Sequence, residues 1–144
     1  MNKEECIEYV KSLGGIETKE GWNVPDGVYL SGKSLTEIPI KFNIVNGYFY
    51  CSYNQLTSLK YCPKVVQLDF DCSNNKLTSL KYSPKEVKGC FFCSYNQLTS
   101  YKYSPKEFQG RFWCDKGSFI GKDYYKLLLD EKVITEAEYL LRVL

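Results

Sequence analysis

The sequence predicts a solenoid of parallel strands with a short helical cap at each end. Three observations support this fold class: a period of 21 residues, an alternation of apolar and polar residues within each period, and helix-start signals outside the repeats. The 21-residue step separates Cys51, Cys72, Cys93 and Cys114. A period of this length, kept by many columns at once, is typical of stacked-repeat architectures.

Residues 1–23 are predicted to form an amino-terminal cap. Asn2 with Glu5 three residues later is a helix-start signal, and Gly14 with Gly15 ends the helical pattern. The apolar residues spaced for one helix face are Cys6, Tyr9, Val10 and Leu13.

Residues 24–119 contain the repeats, which read apolar-x-Gly-x-aromatic-x-Cys-Ser-x-Asn-x-Leu-Thr-Ser-Leu, followed by Lys-Tyr-x-Pro-Lys. The alternation around Phe70 and Cys72 predicts a strand with one buried face. Asn75 ends it as a turn residue, and Pro84 favours an extended return path. We therefore expect one strand per turn, with about five parallel strands on one face of a right-handed coil and no regular helices on its convex side.

Several columns are expected to fill the core. The aromatic column is Val28, Phe49, Phe70, Phe91 and Phe112, and the cysteine column is preceded by Leu30. The leucine column is Leu35, Leu56, Leu77 and Leu98, with Phe119 at the next step. The asparagine column is Asn54, Asn75 and Asn96; Lys33 and Gly117 replace it in the first and last turns, which are expected to be looser.

The motif F-x-C-S-x-N-x-L-T-S-L resembles the leucine-rich repeat, in the short form with Cys at an inward strand position. The complete 21-residue unit, as in SPKEVKGCFFCSYNQLTS, is similar to repeat proteins that are common in bacteriophage and large-virus genomes. The resemblance covers residues 24–119. It implies a leucine-rich-repeat solenoid and a viral origin.

Residues 120–144 are predicted to form a carboxy-terminal cap of two short helices, DYYKLLLDE and TEAEYLLRVL. A cap is needed because the last turn of a solenoid leaves its core exposed. The apolar residues expected to close that turn are Leu127, Leu128, Leu140, Leu141 and Leu144. A separate helical domain is the alternative interpretation.

The sequence predicts no enzyme, no metal site and no cofactor. With no His in the chain, neither a Ser-His-Asp nor a Cys-His site is available. The cysteine column is interpreted as core packing, and Cys90 and Cys93 face opposite sides of a strand, so their C-x-x-C spacing does not form a redox or zinc motif. Asp69 and Asp71 share a strand face, but an open strand face provides no catalytic pocket.

The outward strand face is the predicted partner-binding surface. While the buried columns repeat, two outward rows change from turn to turn: Gly27, Tyr48, Asp69, Cys90, Arg111, and Tyr29, Tyr50, Asp71, Phe92, Trp113. Aromatic residues and Arg dominate binding hot spots. The predicted partner-binding residues are Tyr29, Tyr48, Tyr50, Asp69, Asp71, Phe92, Arg111 and Trp113. Cross-strand stacking for stability alone is the competing interpretation.

Two lysine columns suggest an alternative partner. Lys60, Lys81 and Lys102, and Lys64, Lys85 and Lys106, could follow a phosphate backbone. The simpler interpretation is that they keep the loops soluble. Glu86 and Glu107 interrupt the second column and no Arg cluster is present, so the sequence disfavours nucleic acid as a partner.

The predicted function is that of a protein-interaction module, acting as a monomer or homodimer. The resemblance implies a phage-encoded protein that binds a host protein and modulates or inhibits it, for example in a defence system such as CRISPR-Cas. Nucleic-acid binding is the alternative, and a virion structural or host-adhesion role is third. Because MNKEECIEYV lacks the pattern of a signal peptide, we expect a cytoplasmic protein, in the host cytoplasm if viral, with no membrane association.

Overall fold

The computed structural model covers residues 1–144 and shows a β-solenoid of about four turns. Each turn contributes one short strand to each of two sheets, which we call sheet A and sheet B. The repeat of 21 residues carries the chain once around the coil, so a strand pairs with the equivalent strand of the next turn. Stacked parallel strands, spaced as the period predicts, are therefore present.

The strands are short. Sheet A contains β1 (Ile16–Thr18), β2 (Gly21–Val24), β4 (Phe42–Val45), β6 (Val65–Val66), β8 (Glu86–Val87) and β10 (Glu107–Phe108), paired in that order. Sheet B contains β3 (Val28–Tyr29), β5 (Phe49–Tyr50), β7 (Phe70–Asp71), β9 (Phe91–Phe92), β11 (Phe112–Cys114) and β12 (Gly117–Phe119). All neighbours are parallel except the β1–β2 and β11–β12 pairs.

Sheet A is an addition to the architecture predicted from the sequence, which had one strand per turn. Val45 pairs with Val66 and Val66 with Val87, so the valine column is itself a parallel ladder. Strands of two residues are too short to show the alternation by which a strand is recognised in sequence. This sheet was therefore visible only as a column of valines.

The core consists of the predicted columns. Phe49, Phe70, Phe91 and Phe112 are fully buried, and their rings stack with centroid distances of 5.9, 5.1 and 5.3 Å between successive turns. The cysteine column is also buried, with Leu30 at its start. Identical side chains can stack in this way because parallel, in-register strands place equivalent residues side by side.

The asparagine column bonds one turn to the next. The Asn75 side chain is buried; its Oδ1 accepts from the Leu56 N–H at 3.0 Å, and its Nδ2 donates to the carbonyls of Cys51 at 3.0 Å and Cys72 at 3.1 Å. Asn54 and Asn96 make equivalent bonds. These buried turns need such bonds because their backbone groups are out of reach of water.

The amino-terminal cap helix α1 (Lys3–Ser12) begins as predicted. Asn2 and Glu5 form a reciprocal capping box, and Cys6 and Val10 are fully buried. The hydroxyl of Tyr9 accepts a hydrogen bond of 3.0 Å from the backbone N–H of Tyr29, so α1 satisfies an amide on the edge strand of sheet B. An otherwise open strand edge is partly covered in this way.

The last turn ends differently from the prediction. At Gly117 the chain reverses into β12, which pairs antiparallel with β11 and sets Phe119 opposite Phe112. Phe119 is thus half-buried on a hairpin strand and does not occupy the next leucine position. The side chain of Asp115 accepts from the Tyr95 N–H at 2.7 Å, a bond that Ser73 and Ser94 provide with their backbone carbonyls in the preceding turns.

The carboxy-terminal helices are α2 (Lys122–Asp130) and α3 (Glu136–Val143). Helix α2 covers the end of the core: Leu127 and Leu128 are buried, and Tyr124 is fully buried against Phe112, at 4.9 Å between ring centroids. The prediction was wrong for α3, whose Leu140, Leu141 and Leu144 are 44%, 84% and 100% exposed. They face away because α2 alone is wide enough to cover the last turn. None of the helices has the length and apolar character needed to cross a membrane.

Candidate functional site

The candidate site is the outward face of sheet B, built from short strands on a rigid stack. In each strand the first residue points into the core and the second points outward, which places Tyr29, Tyr50, Asp71, Phe92 and Trp113 in one row in register. Tyr48, Asp69 and Arg111 lie two residues earlier in their turns, beside this row. The structure therefore brings all eight predicted residues onto one side of the solenoid.

The first part of the face is a tyrosine cluster. The ring centroids of Tyr29 and Tyr50 are 5.7 Å apart in an edge-to-face arrangement, and those of Tyr48 and Tyr50 are 5.2 Å apart. Burial, followed by the nearby carboxylate of Asp69, raises the pKa of Tyr50 to about 12. The Tyr50 hydroxyl is thus a neutral hydrogen-bonding group at physiological pH.

The central part of the face carries the two carboxylates. Asp69 Oδ1 accepts from the backbone N–H of Cys90 at 2.7 Å, and Asp71 Oδ1 accepts from the N–H and hydroxyl of Ser73 at 2.9 and 2.6 Å. These bonds hold the carboxylates in fixed positions and use only one oxygen of each. The second oxygens remain for a partner.

The last part of the face is an aromatic pair with a cation beside it. The Phe92 and Trp113 rings stack with centroids 6.2 Å apart and planes 12° from parallel, and Trp113 is 41% exposed. Arg111 donates to the hydroxyl of Ser118 on β12 at 3.2 Å. Because Ser118 is the register partner of Trp113, the hairpin extends the face by one strand.

The face is open and without a deep pocket. None of the eight residues lines any of the five principal cavities. No group of three His, Cys, Asp or Glu residues is arranged to hold a metal ion. An open surface of aromatic rings with fixed charges is suited to contact another macromolecule over an area.

Variation from turn to turn is not confined to this face. The outward residues of sheet A also differ between turns: Asn23, Ile44, Val65, Glu86 and Glu107. None of these is aromatic. What distinguishes sheet B is therefore the combination of variation with exposed aromatic rings.

The cysteines lie where the core needs small apolar side chains. All seven are free thiols and only Cys90 is partly accessible. Burial raises the pKa of the Cys72 and Cys93 thiols well above the usual value, which disfavours the reactive thiolate. Cys90 and Cys93, which share the C-x-x-C spacing, are not bonded to each other.

One set of surface residues was missed as a candidate site. Tyr61, Tyr82 and Tyr103 follow the first lysine column directly, and each ring lies beneath the ammonium group of the preceding lysine, at 5.0, 5.2 and 5.1 Å from the ring centroid. The signal was available in the repeated Lys-Tyr-x-Pro-Lys segment. It was assigned to solubility because the sequence does not show that the rings and lysines line a common groove.

Fold and surface together define the class of this protein as a β-solenoid repeat protein with an aromatic sheet face. Comparison of the chain with protein-family models, curated proteins and solved structures finds no match. The argument for function therefore depends on the geometry of the chain itself.

Proposed function

We propose that the protein is a non-enzymatic interaction module that binds a partner protein with the outward face of sheet B. The observation that carries the proposal is the exposed, stacked pair of Phe92 and Trp113 on an in-register sheet. Exposed aromatic rings of this size are a liability for solubility unless a partner covers them. The adjoining Asp71 and Arg111 offer fixed charges of both signs for orienting that partner.

The size of the face determines how the partner must bind. Five strands at roughly 4.8 Å spacing extend about 20 Å, which is less than the roughly 800 Å² per partner of a standard interface requires. The hairpin strand β12, joined to the face by the Arg111–Ser118 bond, is the natural extension. We infer that the partner covers Trp113 centrally and reaches β12.

The kind of partner follows from the sequence resemblance alone. The leucine and asparagine spacing is similar to leucine-rich repeats of phage and large-virus proteins, and the proposal therefore extends to a viral protein that binds a host protein in the cytoplasm. Inhibition of a defence system such as CRISPR-Cas is one form this activity would take.

The test compares two variants for partner capture. The full chain, immobilised, is used to isolate partners from bacterial lysate, and the affinity of each purified partner is then measured. Phe92→Ala combined with Trp113→Ala should weaken binding about tenfold or more, because a large aromatic in a desolvated centre contributes about 2 kcal/mol or more. The melting temperature should change little, since both rings lie outside the core.

The matched control changes Lys60, Lys81 and Lys102 to Gln on another side of the solenoid. This variant should bind the partner protein as the parent does, because a rim lysine contributes little to affinity. Loss of partner binding in the lysine variant, with normal binding by the aromatic variant, would show that the sheet B face is the wrong site.

A further inference from the structure

A continuous groove runs along the solenoid on the side where each turn enters sheet A. Three cavities of about 310, 300 and 550 Å³ follow one another along this side. The first two share Lys41 and Tyr61, and the second and third share Tyr82, Ser83 and Lys85. The shared residues make the cavities one track, which we call the Lys–Tyr track; its repeated part comprises residues 60–64, 81–85 and 102–106.

The Lys–Tyr track is strongly basic. The second and third cavities are lined by Lys41, Lys60, Lys64, Lys81, Lys85 and Lys106, and by no carboxylate. Of these lysines only Lys64 forms an ion pair, with Glu20 at 2.8 Å. The track therefore concentrates uncompensated positive charge in a groove and favours a polyanion.

The acidic residues that interrupt the lysine column in sequence do not interrupt the track. Glu86 and Glu107 lie on the sheet A strands β8 and β10 and line none of the cavities. Glu86 is also within 3.8 Å of Lys88. The sequence-based reason for disfavouring nucleic acid is thereby removed by the geometry.

The tyrosines of the track are held in a strained backbone conformation. Tyr61, Tyr82 and Tyr103 have φ of 75°, 69° and 69°, in turns closed by bonds such as Ser83 N–H to the Leu80 carbonyl at 3.0 Å. This turn position is normally occupied by glycine. The chain places a tyrosine there three times, and the rings are 40%, 52% and 51% exposed. Strain that recurs at one surface points to a use for the side chain.

We propose that the Lys–Tyr track binds single-stranded nucleic acid, with the lysines contacting phosphates and the tyrosine rings stacking on bases. Positively charged grooves lined by aromatic rings bind single strands in this way without reading sequence. An acidic peptide would use the lysines but not the rings, and a duplex keeps its bases stacked internally, out of reach of the rings. This site is separate from the sheet B face and shares no residue with it.

The test measures fluorescence anisotropy of labelled ten-nucleotide oligo-dT and oligo-U with the full chain at several NaCl concentrations. If three or four phosphates are contacted, the logarithm of the association constant should fall against the logarithm of salt with a slope of roughly −2 to −3. Changing Tyr61, Tyr82 and Tyr103 together to Gly should weaken binding about tenfold or more. The melting temperature should not fall, because glycine relieves the strained φ. The two oligonucleotides distinguish DNA from RNA as the ligand.

The matched control is Tyr53→Gly with Tyr95→Gly. These tyrosines are also exposed and have φ of 52° and 57°, but they lie at the turn that follows sheet B. This variant should bind both oligonucleotides like the parent. The proposal is overturned if the track variant binds like the parent, if affinity does not depend on salt, or if a ten-residue glutamate peptide binds as tightly as the oligonucleotides.

Discussion

Replacing Asn75 with Ala tests the asparagine ladder that joins the turns. Asn75 is 5% exposed, and its side chain bonds backbone groups of its own turn and of the preceding one. Alanine fits the space but offers no hydrogen bond. The variant therefore removes the cross-turn bonds while leaving the apolar columns in place.

The expected cost can be worked out from these bonds. Without Oδ1 the buried N–H of Leu56 loses its acceptor, which costs about 1–3 kcal/mol, and each of the two lost amide donations adds about 0.5–1.5 kcal/mol. We expect a total near 4 kcal/mol. For a chain of this size that lowers the melting temperature by roughly 10 °C.

The assay is urea denaturation followed by circular dichroism, with thermal melting in parallel. The matched control is Asn74→Gly in the same turn: Asn74 has φ of 54°, which glycine adopts freely, and its side chain makes no hydrogen bond. The control should stay within about 0.5 kcal/mol of the parent. If Asn75→Ala were as stable as this control, the ladder would not contribute to the fold as argued.

Two further predictions concern the thiols and the tyrosine cluster. In the folded protein at pH 8, a thiol reagent should label one of the seven cysteines rapidly, Cys90, and the remaining six only in denaturant, because those six are buried; rapid labelling of a second cysteine would contradict the inward assignment of the cysteine column. The folded-state pKa of Tyr50, about 12, lies above its ordinary value of 10.0, so its contribution to stability is complete below pH 10 and is lost as the pH rises towards 12. Urea midpoints measured across this window should fall less steeply for Tyr50→Phe than for the parent, and parallel curves would refute the burial of this hydroxyl.

Much of the core was predictable because each buried column repeats. Phe70 and Phe91 are recognisable as inward residues since the same residue type returns every 21 positions, and chance does not maintain several such columns together. The capping boxes at Asn2 and Thr135 were also predictable, because a helix start depends on residues three apart in the chain. Likewise, the eight residues of the sheet B face follow from alternation around each aromatic.

The remaining features depend on contacts between turns and with the ends. Sheet A could not be predicted, because its two-residue strands are too short for alternation and exist only by pairing with the next turn. The burial of Tyr124 and the exposure of Leu141 were decided by how much of the last turn α2 covers, which helical periodicity does not encode. The Lys–Tyr track arises for the same reason. Tyr61 and Tyr82 are 21 residues apart in sequence, yet they line one cavity because the solenoid stacks one turn directly on the next.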